Sequence, residues 1–303
     1  MIPIGTNIWP RHRPYANYVL IALTVGVFLA SYDPTMGGFL GSIHIRPWAR
    51  GLMLVPSHWR IWQLATYAFL HDGLLHILGN MFFLYLFGNS VNDRLGHIGY
   101  LCLYLAGAAF SGLGHILVHR YSSIPTIGAS GAVASITGAY LVFFPRSLVT
   151  VLYWFLFLFG TVNIPALWFI GLKMILLDNL IVRTSPFVAY EAHLAGYAFG
   201  IVSSLALLAS GIAQANHLDL WSVIRQWNRR RRFRSMVAKG YDPFSGVRQG
   251  RSSESAKGEG VSDRQQEVFA ISKQIWDLLA RRDLAGASQA YLRLTAVDQD
   301  QII

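Results

Sequence analysis

The segment GLLHILGNMFFLYLFGNSVN, residues 73–92, contains no Asp, Glu, Lys or Arg. About 20 such residues are enough for a helix to cross the hydrocarbon core of a bilayer, which is roughly 30 Å thick. Five more uncharged stretches of about this length or longer follow or precede it, at 14–32, 95–119, 121–145, 147–172 and 192–218. A soluble helix seldom contains even one such stretch. The sequence therefore predicts an integral membrane protein with six membrane-spanning helices.

The composition of the whole chain supports this interpretation. Of the 303 residues, 53% are hydrophobic and 13% are charged, about half the charged share of an average soluble protein. This balance argues against an intrinsically disordered chain and against an ordinary soluble enzyme. The one cysteine, Cys102, excludes an intramolecular disulfide and any zinc or iron–sulfur site that needs several cysteines.

Most of the net charge of +10 lies in one short segment. Residues 221–257 contain ten Lys or Arg and two Asp or Glu, a net charge of +8. Cations directly after a last span are typical of a cytoplasmic segment that contacts anionic lipid, and no nucleic-acid partner is expected. Because Arg11 and Arg13 precede the first span, both termini are expected in the cytoplasm, at a bacterial inner membrane. An even number of spans agrees with this.

The stretch 147–172 is too long for one span and too short for two. Uncharged residues resume after Lys173 and extend it to about residue 177. We predict an interfacial or re-entrant piece near 152–160, followed by a span over about 165–180, because irregular backbone at membrane depth needs cover from protein or water.

The C-terminal part differs in composition from the rest. A Gly- and Ser-rich linker at 241–260 precedes two segments, 262–281 and 284–296, with apolar residues at helical spacing. They predict a helical hairpin of the tetratricopeptide kind. A single hairpin cannot bury its own apolar face, so it is expected to bind a protein partner or to belong to a longer repeat array.

The predicted fold class is therefore all-α, a polytopic bundle with a small helical cytoplasmic segment at its C-terminal side. The expected parts are a cytoplasmic N-terminus at 1–14, a six-span membrane domain at 15–218, a basic juxtamembrane segment and linker at 219–260, and the helical hairpin at 261–303.

Within the predicted spans, polar side chains are costly and are candidates for function. His76 and Asn80 are four residues apart, so on a helix they share one face. Two hydrogen-bond donors on one face can hold a developing negative charge. Alternatively, both side chains join neighbouring helices by hydrogen bonds, which is common in membranes.

A second candidate is Ser130, in Gly128-Ala129-Ser130-Gly131 at the start of a predicted span. Small neighbours leave room for a substrate, and the unpaired backbone N–H groups of a helix start can receive an oxyanion. Ser130, Ala134 and Gly138 also form a face of small residues, on which another helix can pack closely. Helix packing alone is the alternative interpretation of this pattern.

The third candidate is His193, which shares a predicted helix face with Gly196 and Gly200. If this face meets the face of Ser130 and Gly138, the histidine comes within hydrogen-bond reach of the serine. A nucleophile beside a general base would result. A buried histidine with a structural role is the alternative.

The order of these motifs, His-x-x-x-Asn, Gly-x-Ser-Gly and Ala-His-x-x-Gly-x-x-x-Gly, resembles the rhomboid intramembrane serine proteases. The resemblance covers about residues 15–215, and 87–96 is similar to the family's loop after the second span. It implies a six-helix rhomboid-like bundle that cleaves transmembrane segments of single-span membrane proteins.

The resemblance also implies a role for each candidate residue. Ser130 would be the nucleophile and His193 its general base. His76, Asn80 and the backbone N–H of Ser130 would form an oxyanion hole, and His71 would lie near the mouth of the site. A Ser-His dyad of this kind needs no cofactor and no metal, and none is expected.

Two positions depart from the family's pattern. The family often has Trp-Arg nine residues before the first histidine of the second-span motif, a spacing that falls here on Trp62-Gln63, whereas Trp59-Arg60 lies three residues earlier. Four residues after the nucleophile, where the family often has Tyr against the catalytic histidine, this chain has Ala134. The sequence does not specify what holds His193 instead.

Other assignments fit the sequence less well. Of the two candidate triad acids, Asp178 and Glu191, the second is two residues from His193 and is expected to be a solvated loop charge. A metal transporter or metalloprotease is disfavoured because the chain has no His-Glu-x-x-His motif and because His71 and His76 are five residues apart. A non-proteolytic rhomboid-like protein that binds or chaperones membrane proteins is the main alternative.

Overall fold

The computed structural model describes residues 2–33, 35, 45–155, 158–181, 189–214, 219–238, 263–281, 283–292 and 294. These residues belong to two units, Met1–Phe233 and Arg234–Ile303. Within the described part the chain is mostly helical.

Helices form most of the chain before the C-terminal linker. They are α1 (Tyr15–Ser31), α2 (Gln63–Thr66), α3 (Leu74–Phe83), α4 (Asn89–His119), α5 (Ser130–Phe143), α6 (Tyr190–Ala209) and α7 (Leu220–Ala238). Short 3₁₀ turns join α1 to α3, at Pro47–Leu52, Pro56–His58 and Tyr67–Phe69. Leu84–Gly88 and Leu167–Ile181 are helical with wider, π-type hydrogen bonding.

Helix α4 breaks at Gly96, whose φ of 72° lies in the left-handed region that glycine adopts without a steric cost. The helical segment Leu74–His119 has 46 residues. As a straight helix it would be about 69 Å long, more than twice the thickness of a bilayer core. The break divides it into 74–95 and 97–119, each long enough to span once.

Two helical segments are long and apolar enough to cross a membrane, Leu74–His119 and Tyr190–Ala209. Two shorter apolar helices, Tyr15–Ser31 and Ser130–Phe143, accompany them. Among the described residues these are the candidate spans, so the count of six stays a prediction.

The prediction of an all-α fold is wrong in one region. Much of the stretch 147–172 forms two antiparallel strands, β2 (Leu148–Phe155) and β3 (Leu158–Pro165), where an interfacial piece was expected. A third strand, β1 (Ile2–Thr6), pairs antiparallel with β2. Along β2, Val149 and Val151 are fully buried, while Leu152, the residue after Val151, is exposed.

This local pattern explains the error. Inward and outward side chains alternate along a strand, and β-branched residues favour that conformation. The composition of a short apolar stretch does not show whether it forms such a strand or a buried helix. The span predicted over 165–180 falls on the helix Leu167–Ile181, which follows β3.

The sheet and the polar candidates lie at opposite ends of α5. Strand β2 begins shortly after the last residue of α5, and β1 precedes α1, with Asn7 N–H donating to the Leu148 carbonyl at 3.0 Å. We call this the sheet end. Ser130 is the first residue of α5, so its end of the helix, called here the Ser130 end, is the other one.

The second unit contains α8 (Asp263–Ala280) and α9 (Leu284–Tyr291). They pack against each other around buried apolar side chains, Ile275, Ala290 and Leu294. Two large apolar side chains of α8, Phe269 and Trp276, stay exposed.

Candidate active site

Helices α5 and α6 approach each other backbone to backbone. A Cβ placed on any of three glycines would meet a carbonyl oxygen of the opposite helix, which leaves no room for a side chain. The three approaches are Gly196 against Gly131, Gly200 against Ser135, and Gly138 against Tyr197, the last at 2.7 Å.

Helix α4 joins the same contact through a serine. A Cβ on Gly131 would overlap the hydroxyl of Ser111, and this hydroxyl donates a hydrogen bond to the carbonyl oxygen of Ala192. The bond ends one residue before His193, and Gly131 is one residue after Ser130. Three helices are thus tied together beside the two candidate catalytic residues.

A cavity of about 360 Å³ collects the polar candidates. Ser130, His193, His76 and Asn80 all line it. The rest of its wall is mostly apolar or small, and consists of Leu75, Gly79, Phe83, Val133, Ala134, Thr137, Met174 and Tyr197. An apolar pocket with a few convergent polar groups is the usual form of an active site.

A carboxylate one helical turn earlier holds His76. Its Nδ1 lies 2.6 Å from Oδ1 of Asp72. The hydrogen bond from His76 is the largest of the causes that keep the pKa of the Asp72 carboxyl below its usual value, so this side chain is ionised at neutral pH. An ionised carboxylate only accepts hydrogen bonds, and Nδ1 of His76 therefore carries a proton.

The other ring nitrogen of His76 faces Gly128. A Cβ on Gly128 would lie 2.7 Å from His76 Nε2 and 3.9 Å from Ser130 Oγ, so the two polar atoms converge on the same point. Gly128 has a φ of 121°, a backbone conformation that L side chains rarely adopt. Glycine is required here both by the backbone and by the closeness of the histidine.

Asn80 and His71 differ in how they relate to the cavity. The Asn80 amide donates one hydrogen bond to the carbonyl oxygen of His76 at 3.1 Å and has a second N–H for another acceptor. His71 is fully buried and is not among the described lining residues. Its Nε2 accepts a hydrogen bond from the backbone N–H of Ala129 at 3.4 Å.

His71 is therefore buried against the loop that precedes Ser130 and holds it by this hydrogen bond. The family resemblance had implied a position near the mouth of the site instead. Burial lowers the pKa of His71 to about 3, so its ring is neutral and can accept this bond. Its ring also meets the ring of His76 edge to face, with centroids 4.9 Å apart.

His193 has an aromatic neighbour on its own helix. The ring of Tyr190 is 6.4 Å away, centroid to centroid, at an angle of 73°. Such an edge-to-face pair is a favourable aromatic contact. The sequence left the support of His193 open because Ala134 replaces the family's Tyr. The three-residue spacing of Tyr190 and His193 is the sequence pattern that could have indicated this contact.

Glu191 is not the solvated loop charge that was expected. Its Oε2 lies 3.6 Å from Nε2 of His119 on α4. The side chain is about three-quarters buried. The side chain of the other candidate acid, Asp178, lies outside the described residues.

The loop between α1 and α3 resolves the shifted Trp-Arg pattern. The Arg60 guanidinium lies over the Trp62 ring at 5.2 Å. Gln63, which stands where the family often has Arg, accepts a hydrogen bond from the Arg60 backbone N–H at 2.9 Å and donates one to the Gly51 carbonyl at 3.0 Å. Both residues thus hold the loop together locally.

The rhomboid domain model of known proteins matches residues 58–210, half of the chain. The chain belongs to the rhomboid family. The resemblance inferred from three short motifs is thereby confirmed, and the matched region contains all of the candidate residues from His71 to Gly200. This rhomboid is accordingly a membrane protein.

Individual relatives are similar over shorter stretches. The chain is 31% identical over 161 residues to "RHOMBOID-like protein 12, mitochondrial" of Arabidopsis thaliana. This match covers 48% of this chain and 46% of that protein. It is 33% identical over 98 residues to "Rhomboid protease GlpG" of Yersinia pestis (strain Pestoides F), covering 32% and 34%. With "Presenilin-associated rhomboid-like protein, mitochondrial" of Homo sapiens it shares 29% over 139 residues, covering 44% and 34%. This rhomboid thus spans less than half the length of each relative.

Proposed function

We propose that this rhomboid is an intramembrane serine protease that cleaves the transmembrane segments of single-span membrane proteins. The observation that carries the proposal is the convergence of Ser130, His193, His76 and Asn80 on one cavity. The name of the Yersinia relative, a rhomboid protease, supports the same reaction class. The proposed architecture is a six-span bundle.

In the proposed reaction, Ser130 Oγ attacks the carbonyl carbon of the scissile peptide bond while His193 takes the hydroxyl proton. The tetrahedral intermediate then collapses, the C–N bond breaks, and His193 returns the proton to the leaving amine. Water hydrolyses the resulting ester of Ser130 with the same base. A dyad suffices for this sequence of steps, as in other serine hydrolase variants.

The oxyanion of the intermediate needs donors that are already in position. His76 Nε2, the remaining Asn80 N–H and the backbone N–H of Ser130 are the proposed set. Each such donor typically lowers the barrier by about 3–4 kcal/mol. Because Nδ1 of His76 donates to the ionised Asp72, Nε2 can donate to an oxyanion only in the doubly protonated ring, whose positive charge the Asp72 carboxylate would offset.

Asp72 is therefore a positioning residue for the oxyanion donor. It fixes the ring plane of His76 through a short hydrogen bond and places a negative charge next to the ring. It does not line the described cavity wall. Its effect on the reaction would be carried entirely by His76.

We propose both termini on the cytoplasmic side of a bacterial inner membrane, based on the cations that flank the first and last uncharged stretches. The names of the Arabidopsis and human relatives point to a mitochondrial membrane as the alternative location. Fractionation of the source cells, with cysteine accessibility at each terminus, distinguishes them.

Two binding roles outside the cavity belong to the same proposal. The basic segment 221–257 is proposed to contact anionic lipid, and the part of it in α7 carries six arginines in a helix that is largely exposed. The α8–α9 pair is proposed to bind a protein partner, because Phe269 and Trp276 remain exposed on it. No nucleic-acid role is proposed.

Labelling with a serine-directed fluorophosphonate in native membrane tests the reaction class. We expect labelling of the unmodified protein and its loss in both Ser130→Ala and His193→Ala. Ser203→Ala is the matched control, since the hydroxyl of this serine donates to backbone carbonyls of its own helix, those of Phe199 and Gly200, and it should label normally. Absence of labelling in an unmodified protein that still captures single-span proteins would favour the non-proteolytic binding function instead.

A further inference from the structure

Two histidines of α4 and one glutamate of α6 converge near the Ser130 end. His115 and His119 are one helical turn apart, and their ring centroids are 4.6 Å from each other. Glu191, in the first turn of α6, lies 3.6 Å from His119 through Oε2 and Nε2. One donor atom from each of the three residues lies within 4.8 Å of the other two.

These three side chains match the donor set of a transition-metal site. Two imidazoles and one carboxylate are ligands that Zn²⁺ and its first-row neighbours prefer. Bonds of about 2.0–2.1 Å in tetrahedral geometry put neighbouring donor atoms about 3.3 Å apart. The observed spacing is somewhat wider, a difference that rotation of the partly exposed His119 and Glu191 side chains can close.

The surroundings of His115 are a second observation that favours a bound metal ion. This residue is nine-tenths buried, and its Nε2 lies 2.7 Å from Thr126 Oγ1. Its Nδ1 is buried and has no hydrogen-bond partner in the described structure. A buried polar atom without a partner is costly, and a bound cation would remove that cost. Ligating histidines typically donate their other N–H to a fixed acceptor, which Thr126 provides here.

We propose that His115, His119 and Glu191 bind a divalent transition-metal ion of the zinc class. The ion would join α4 to the first turn of α6. Since Glu191 is two residues before His193, the bound ion would restrict the start of α6 and so position the catalytic histidine. Binding itself is independent of the proposed protease function, whereas the effect on His193 rests on it.

Co²⁺ titration of the purified, chelator-treated full-length protein tests the binding. We expect one Co²⁺ per chain, with the visible absorption of a four- or five-coordinate ion, displaced by Zn²⁺. His119→Ala and Glu191→Gln should lose this absorption, and Thr126→Ala should weaken binding about 10- to 100-fold, as loss of an outer-shell partner typically does. His58→Ala, which removes an exposed histidine bonded to Ser57, is the matched control.

Equal Co²⁺ absorption in the unmodified protein and in His119→Ala would overturn the site, as would no binding at micromolar Co²⁺. Circular dichroism of each variant distinguishes a lost site from a lost fold. If His119→Ala does not fold, Glu191→Gln, which keeps the size of the side chain, provides the same comparison.

The fluorophosphonate labelling rate of Ser130 tests the positioning effect. Zn²⁺ should change this rate at least threefold in the unmodified protein and leave it unchanged in Glu191→Gln. Zn²⁺ binding without any change in rate would overturn the positioning role and leave the site intact. A protein that binds Co²⁺ at these residues but is never labelled would contradict the protease function and not the metal site.

Discussion

At the Ser130 end of the membrane unit, α5 and α6 meet with almost nothing between their backbones, whereas at the sheet end three strands are joined by ladder hydrogen bonds. Gly196 at the first end faces a backbone carbonyl that has no freedom to move. Gly160 at the second end faces the hydroxyl of Tyr153, the tip of a long side chain. The same added atom therefore meets a rigid neighbour at one end and a movable one at the other.

The difference shows which end of α5 tolerates little change in packing. Close backbone packing restricts the relative position of Ser130 and His193, because a closely packed interface leaves few voids into which either helix could shift. The sheet end has to hold α1 and α5 to the strands but does not contact the cavity. We expect changes at the two ends to differ in both size and kind.

The largest effect is expected from Gly196→Ala. The new methyl group would overlap the Gly131 carbonyl, so α6 has to shift away from α5. We expect a loss of about 3 kcal/mol or more in unfolding free energy, as overpacking against rigid neighbours produces, together with loss of fluorophosphonate labelling. Thermal unfolding in detergent measures the first and gel fluorescence the second.

Gly160→Ala is the matched substitution at the sheet end. Its methyl group would meet Tyr153, which can rotate, and labelling should stay normal. Similar losses for both variants would remove the distinction between the two ends.

A smaller effect, seen mainly in activity, is expected from Gly128→Ala. The substitution places a methyl group 2.7 Å from His76 Nε2 and forces alanine into a φ of 121°. The oxyanion donor is displaced, and loss of one such donor typically lowers kcat by about 10²–10³-fold. Cleavage kinetics measure the loss, and an unchanged kcat would contradict the placement of His76 in the site.

Asp72→Asn should lower kcat by about tenfold with little change in KM, since Asp72 acts through His76 and not on bound substrate. In a His76→Ala background the same substitution should have no further effect, which a double-mutant cycle measures. Additive losses would show that Asp72 acts elsewhere.

The same carboxylate predicts a pH dependence. Because the pKa of Asp72 is lowered in the folded protein, the stability that its ionised carboxylate contributes is complete above the ordinary carboxyl pKa of about 3.9. It is lost as the pH falls through the lowered folded value. The tenfold or so of activity that Asp72 contributes should therefore persist to mildly acidic pH, and Asp72→Asn should lack this contribution at every pH while keeping the remaining activity.

The smallest effect is expected from Asn163→Ala in β3. It removes a cross-strand hydrogen bond that the Thr150 hydroxyl donates to the Asn163 amide oxygen at 2.8 Å. Cross-strand pairs of this kind contribute about 0.2–1 kcal/mol. The midpoint of thermal unfolding should fall slightly while labelling and cleavage stay the same. A large loss of activity would show that the sheet end does influence the cavity.

The Ser130 end was the easier of the two to predict from sequence, for a physical reason. A histidine, an asparagine or a serine inside an apolar helix carries a desolvation cost, so its presence indicates a role. Glycines at helical spacing on 128–138 and 193–200 likewise indicate close packing. Both patterns are local, and their order along the chain was sufficient to identify the family.

The sheet end was not predictable in the same way. Val149 and Val151 belong to an uncharged stretch whose composition equally suits a helix, and β1 pairs with β2 from nearly 150 residues away. Register between distant strands depends on partners that a window of sequence does not contain.

Contacts between helices were missed for a related reason. Nothing near Glu191 in the sequence indicates His119, although the four-residue spacing of His115 and His119 was visible by itself. The position of His71 behind the loop before Ser130, and the ionised Asp72 beside His76, likewise depend on how separate segments meet. Such pairings follow from the packing of α3, α4, α5 and α6, and sequence spacing alone does not specify it.

Cleavage of a single-span membrane protein in proteoliposomes tests the central claim most directly. The substrate should have small residues near one end of its span, and the enzyme variants should be the unmodified protein, Ser130→Ala, His193→Ala and the control Ser203→Ala. We expect cleavage within the span by the unmodified protein and by Ser203→Ala, and none by Ser130→Ala or His193→Ala. Cleavage that survives in Ser130→Ala or in His193→Ala would contradict the assignment of the dyad.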